Sequence, residues 1–290
     1  MVFLLSFIKE CLYLKPRLFH ITLHIISYNS IMFKRYYLLP VLALSVIIAN
    51  CSSQKKEDSG DMYKAPEGIA QEVVDRAIEL SGGDLFKEKK IKFSFRGIKF
   101  TVVQNDASYY YERILEQDGE EVKEILDNGL LTRHKNGEVI ELTGGEAERI
   151  HEAVNSVPYF AMLPYKLNDG AVVKTYEGEV TIKGKQYHKI KITFEGEGSG
   201  TSPTNVFYYW FDKETGFLDY LGYSRGGNRF REAYNQRVVN GIRFADYVNY
   251  KSDALLEPSL EEYDALFEKG ELRELSRIIL DDVEVLDIDN

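Results

Sequence analysis

The sequence predicts a mainly β fold of the α+β class: an antiparallel meander of about twelve strands, two main helices and a short third. Three observations carry this. Residues 205–223 alternate aromatic side chains around a tight turn at 212–216, with Phe207, Tyr209 and Phe211 on one face and Tyr208 and Trp210 on the other. Asn128-Gly129, Asn136-Gly137 and Asn240-Gly241 sit between short β-branched and aromatic runs, a strong hairpin signal. No strand–helix alternation runs along the chain and no repeat recurs, which argues against a parallel sheet or a solenoid.

The elements follow in order. Residues 66–80 predict a helix with Pro66 in its first turn, an apolar stripe of Ile69, Val73, Ala77 and Leu80, and a stop at Gly82-Gly83. Ile91, Phe93 and Phe95 alternate with polar residues. Beyond Gly97 the apolar set becomes Ile98, Phe100 and Val102, so a bulge at Gly97 is expected to restore one apolar face. Strands are expected at 107–116, 121–126, 130–134 and 138–142. A second helix is expected over 145–156, with Ala147, Ile150 and Val154 on one side. The apolar segment 157–167, which carries Phe160 and is interrupted by Pro158 and Pro164, reads as a lid or plug. Residues 177–183 and 185–194 form a hairpin about Gly184, and 230–239 pairs with 242–250. A short helix at 259–268 and a final strand at 274–286 complete the domain.

Both faces of strand 207–211 are aromatic, so both are expected to be covered, by a helix, a second or curled sheet, or an apolar ligand.

The N-terminal part reads differently. Met32 opens a short basic stretch, residues 38–48 are apolar, and Cys51 follows. This is the layout of a secretory signal peptide over 32–50, and a Cys just after the apolar run resembles the lipobox of bacterial lipoproteins, which implies Cys51 as the acylated residue. Residues 1–31 are then expected to be an overcalled start. Residues 51–64 read as a flexible tether and 65–290 as a single domain. Of the 36 Lys/Arg and 46 Asp/Glu, five and one lie in residues 1–50, leaving a net charge of −14 for residues 51–290. That charge argues against nucleic acid as a partner. Cys11 and Cys51 are the two cysteines, so the folded part carries no disulfide.

Three stretches carry a resemblance: Trp210-Phe-Asp-Lys-Glu-Thr-Gly216, Val239-Asn-Gly-Ile-Arg-Phe244, and the lipobox at Cys51. Together they resemble the lipoprotein-carrier superfamily of LolA, LolB and LppX-like proteins, nearest to a group of flavobacterial lipoproteins. The resemblance covers most of 66–286. It implies a curved antiparallel sheet forming an open half-barrel, with helices covering a concave apolar face that holds acyl chains in the carriers. Residues 54–58 resemble the acidic export signal of Bacteroidetes-type surface lipoproteins. Soluble carriers shuttle, whereas this chain is expected to be lipid-anchored at the outer membrane, facing the periplasm or the cell surface.

Gly222-Tyr-Ser224-Arg-Gly226 matches the nucleophile-elbow pattern, but His134, His151 and His188 all precede Ser224 and no helix follows it. An enzyme is therefore not expected. Glu195, Glu197 and Asp212 could share a Ca²⁺ ion, yet solvated acids account for them more simply. No cofactor or metal is expected. The hydrophobic lining is assigned to Tyr109, Tyr111, Phe160, Phe207, Tyr209 and Trp210, and an anionic head group to Arg225, Arg229 and Arg231. The expected partner is a lipid or an acylated protein, with an envelope protein as a further candidate. The alternative is a surface interaction or structural lipoprotein whose hollow is filled by its own side chains.

Overall fold

Fourteen strands, not about twelve, are seen in the computed structural model, which describes residues 68–195 and 205–288. The described residues belong to one unit, Gly60–Asn290. Cys51, the expected signal peptide and the tether lie outside them.

The chain starts with helix α1 (Ile69–Leu80) and the single turn α2 (Leu85–Glu88). Six strands follow: β1 (Lys89–Phe95), β2 (Ile98–Gln104), β3 (Tyr109–Gln117), β4 (Glu120–Asp127), β5 (Leu130–Lys135) and β6 (Glu138–Val139). Helix α3 (Gly144–Ala161) and a 3₁₀ turn at Tyr165–Asn168 come next. The second run is β7 (Val172–Ile182), β8 (Lys185–Phe194), β9 (Phe207–Asp212), β10 (Leu218–Tyr223), β11 (Arg229–Val239) and β12 (Ile242–Ser252). After α4 (Tyr263–Glu268) come β13 (Leu272–Ile278) and β14 (Asp281–Asp287). Strands β1–β6 with β14 form one seven-stranded antiparallel sheet, and β7–β13 form another. Neither closes into a barrel, and the fold is mainly β.

Two expected strands are each two strands. At Arg96-Gly97 both residues have positive φ (53° and 77°), so the parity change marks a tight hairpin between β1 and β2 and not a bulge. At the C-terminus, 272–278 pairs with β12 whereas 281–287 pairs with β1, so the final segment leaves one sheet and joins the other.

The helices differ from expectation in phase and length. Helix α1 buries Ala70, Val74, Ala77 and Ile78, and Leu80 is exposed. The buried set has the i, i+4, i+7, i+8 spacing of one helical face. The second helix continues through Pro158 to Ala161, burying Ile150, Val154, Pro158 and Ala161. The rest of the apolar segment is packed interior: Met162 belongs to the core of the first sheet, and Leu163 and Leu167 to that of the second. This segment therefore plugs both cores.

Strand β9 is covered on both faces. Tyr209 and Phe211 pack with Val74, Ala77 and Ile78 of α1. Tyr208 and Trp210 pack with Leu260, Tyr263 and Phe267 on the opposite face. Each such buried aromatic contributes about 1.5–3 kcal/mol of transfer free energy. Among the described residues no helix is long and apolar enough to cross a membrane.

Candidate functional site

The α1-covered face of the second sheet carries a row of cross-strand neighbours. Ile190, Tyr209, Leu221, Arg231, Asn249 and Ser276 face one another in register across β8 to β13. The row is apolar at one end and polar at the other, and Arg231 stands at the change.

The Arg231 guanidinium lies 4.6 Å from the Phe160 ring centroid and 4.7 Å from that of Tyr223. It donates one hydrogen bond, from Nη2 to the Tyr223 hydroxyl at 3.1 Å. Its Nε is buried without a hydrogen-bond partner, and among the described residues no carboxylate pairs with it. Beside it, Asn249 buries its Oδ1 without a partner, while its Nδ2 reaches Ser276 Oγ at 3.4 Å. One buried donor and one buried acceptor are thus left unmet side by side, which is costly unless a ligand or water meets them.

Aromatic rings surround this point. Phe160, near the end of α3, meets Tyr247 edge-on at 5.2 Å. Tyr159 contacts Phe194 at 6.3 Å, Phe194 contacts Phe207 at 5.6 Å, and Phe207 contacts Tyr223 at 6.4 Å. Tyr159, Phe160, Phe194, Phe207 and Tyr223 are half-buried, whereas Tyr209 and Tyr247 are buried. Burial raises the Tyr209 hydroxyl above the tyrosine range against the pull of Arg231. It pushes Tyr247 up to about 12, opposed by Arg243 and Arg231. Both hydroxyls stay neutral, so the guanidinium carries the charge here.

The sequence-assigned residues separate into groups. Phe160, Phe207, Tyr209 and Arg231 come together at this seam. Tyr109 and Tyr111 meet in the other sheet with their rings tilted and centroids 5.0 Å apart, and the Tyr111 hydroxyl donates to Gln104 Oε1 at 3.1 Å. Trp210 is on the opposite face from Tyr209, fully buried, with its Nε1–H donating to Asp264 at 3.0 Å. Arg225 is exposed and pairs with Glu152. Arg229 is turned into its own loop, donating to Asn228 O at 2.8 Å and Gly226 O at 3.4 Å. The three arginines therefore do not converge. Cys51 and Glu197 lie outside the described residues.

The other motifs have local roles. Ser224 Oγ accepts the Val206 N–H at 3.1 Å, a loop contact. Asp212 accepts the N–H groups of Glu214 and Thr215 at 2.8 and 2.9 Å, holding the β9–β10 turn. Among the described residues no cluster of three His, Cys, Asp or Glu side chains is placed to hold a metal.

Tyr159, Phe194, Tyr223, Tyr247 and Asn249 join the seam without having been singled out in the sequence. For the β12 residues Tyr247 and Asn249 the reason is a bulge. Counting back from the Asn240-Gly241 turn pairs Arg231 with Tyr250, but a register shift between Tyr234 and Arg237 pairs it with Asn249.

Two open recesses among the described residues are not lined by Phe160, Phe207, Tyr209 or Arg231. One, of about 610 Å³, lies between the end of α1, the β2–β3 turn and residues 165–170. The other, of about 540 Å³, lies over Lys189 and the residues around α4.

Fold and seam together define an antiparallel β protein of two helix-plugged sheets with an unpaired arginine in an aromatic setting. Residues 91–279 match DUF6503, a family of unknown function, and the chain belongs to that family. No curated protein matches it. Among solved structures, a LolA superfamily protein from Nitrosomonas europaea is similar at 12% identity, over 76% of this chain and 94% of that one, with a TM-score of 0.46. A putative outer membrane lipoprotein-sorting protein domain from Vibrio parahaemolyticus is similar at 9% identity, over 74% and 92%, with a TM-score of 0.40. The lipoprotein LppX of Mycobacterium tuberculosis is 11% identical over 56% and 91%, with a TM-score of 0.27.

Proposed function

We propose that this is a lipid-anchored envelope protein, acylated at Cys51, that binds an amphiphile with an anionic head group at the seam around Arg231. The observation that carries the reading is Arg231 itself. It is a permanent cation held between Phe160 and Tyr223, with an unmet Nε–H and an unmet Asn249 Oδ1 beside it. A carboxyl or phosphate ester oxygen satisfies the guanidinium, and a head-group hydroxyl satisfies the amide. The half-buried rings give the adjoining chain an apolar bed, worth about 0.8 kcal/mol per methylene buried.

The test uses the full chain and a dansyl-labelled undecanoic acid. Saturable binding displaced by oleate is expected. Arg231→Met should weaken it about tenfold or more, the scale of one charge-assisted contact, while Arg225→Met leaves it unchanged. In cells, the wild type should fractionate with membranes and Cys51→Ser should not. No saturable binding by the folded protein, or equal binding by Arg231→Met, overturns the ligand reading.

The alternative, a surface interaction protein with a filled interior, draws on a separate observation. Tyr209, Trp210 and Phe211 are all covered by the protein's own side chains. Failure of the dansyl test in a protein that still reaches the membrane favours it.

A further inference from the structure

The recess at the end of α1 has a chemistry of its own. Five carboxylates line it, from Asp75, Glu79, Asp84, Asp106 and Asp169, against the ammonium groups of Lys87 and Lys166. Lys87 is taken by Asp84 at 2.8 Å and Asp106 at 3.3 Å, and Lys166 by Asp169 at 3.5 Å. Asp75 and Glu79 remain. They stand one turn apart on α1, a spacing at which like charges repel. Asp75 accepts neutral donors, Gln71 Nε2 at 2.8 Å and Asn168 Nδ2 at 2.7 Å. Among the described residues no basic side chain forms an ion pair with Asp75 or Glu79.

A second observation is independent of the acids. Gln104, the last residue of β2, is 3% exposed and lines the same recess. Its Oε1 accepts the Tyr111 hydroxyl, but its Nε2 is buried with no acceptor. A lone ammonium would answer the two carboxylates and leave Gln104 unmet, and an anion would do the reverse. A bare metal ion offers no acceptor to an amide N–H. A ligand with a positive nitrogen and neighbouring oxygens answers both. The volume, about 610 Å³, is in the range of small-molecule sites and accommodates a sugar ring.

We propose that this recess binds a small hydroxylated primary amine of the amino-sugar type, its ammonium at Asp75 and Glu79 and a ring or hydroxyl oxygen at Gln104 Nε2. This site is separate from the Arg231 seam and stands or falls independently of it.

The test is calorimetric titration of the full chain with glucosamine, alongside N-acetylglucosamine, which lacks the charge, and cyclohexylamine, which lacks the oxygens. Glucosamine should bind saturably, and each comparator at least about tenfold more weakly. Glu79→Gln should weaken glucosamine about tenfold. Glu79 is exposed, and its removal relieves a like-charge pair, so the variant should fold with undiminished thermal stability. Asp75→Asn serves as a second variant with the same expected direction. The proposal is overturned if the folded protein shows no saturation with glucosamine, if all three compounds bind alike, or if both variants bind as the wild type does.

Discussion

Lys189 is buried within a sheet, and Asp264 is why it can be. Lys189 Nζ donates to Asp264 Oδ2 at 2.9 Å and to the Glu261 carbonyl at 2.6 Å. The same carboxylate oxygen takes the Trp210 N–H, and the ammonium lies 5.2 and 5.5 Å from the Tyr208 and Trp210 rings. This cluster pins α4 and its preceding turn to the outer face of β8 and β9. Removing one partner strands the other charge away from water. Lys189→Met is therefore expected to lose about 3–5 kcal/mol. Lys189→Met combined with Asp264→Leu should recover part of that loss, leaving the orphaned Trp210 N–H to cost about 1–3 kcal/mol. Urea unfolding followed by the emission of Trp210, the one tryptophan in the chain, measures both. A double variant as unstable as the sum of its singles would show that the pair does not act as a unit. In the sequence Lys189 reads only as the polar alternate of a strand, because Asp264 lies 75 residues away and nothing local links them.

What the chain states clearly are its turns, since the backbone itself requires them. Asn128-Gly129, Asn136-Gly137 and Asn240-Gly241 all have positive φ at both residues and all join paired strands, as their dipeptides demand. Arg96-Gly97 makes the same turn with a residue less suited to it, and so looks like a bulge in an unbroken strand. The phase of α1 was hidden for a different reason. Ile69 and Leu80 are as apolar as the residues it buries, and what selects Ala70, Val74, Ala77 and Ile78 is how the helix end is seated. At that end the Arg243 N–H donates to Ser81 O at 2.9 Å. Gly82, with φ of 132°, lies so close to the β11–β12 turn that a Cβ would sit 3.2 Å from Ile242 Cα and 3.3 Å from Gly241 O. Both neighbours are backbone and have little freedom to move. Gly82→Ala is expected to cost about 1–3 kcal/mol through strain and displacement of α1. Gly145→Ala, in open space within α3, should instead gain about 0.4–1 kcal/mol. Urea midpoints of the two variants, which should move in opposite directions, check this.

The two sheets are joined by the passage from β13 to β14, and Asp246 holds that passage. Asp246 is 1% exposed. Its Oδ1 accepts the Leu280 N–H at 3.0 Å and Arg237 Nη1 at 3.1 Å, and its Oδ2 accepts Asn235 Nδ2 at 2.6 Å. Arg237 Nη2 in turn donates to the Leu280 carbonyl. Both backbone groups of Leu280, one of the two residues between the last two strands, are thus clamped to β11 and β12. Asn235 and Arg237 also span the bulge that brings Arg231 opposite Asn249, so one carboxylate fixes the sheet junction and the register of the candidate site. That coupling explains why the antiparallel class could be read from the chain while the division into two sheets and the membership of the seam could not. Each depends on a residue whose partners lie 9, 11 and 34 positions away. Asp246→Asn replaces an all-acceptor group by one with a single oxygen and should cost at least about 1.5 kcal/mol. Its effect should be local in hydrogen exchange. The amides of Leu280 and of the 234–237 bulge should exchange at least about tenfold faster, while those of β3 and β4 in the far part of the first sheet keep their protection. Uniform acceleration across both sheets would mean that Asp246 adds only global stability. Selective acceleration accompanied by weaker binding of the dansyl probe would place the junction and the seam on one support.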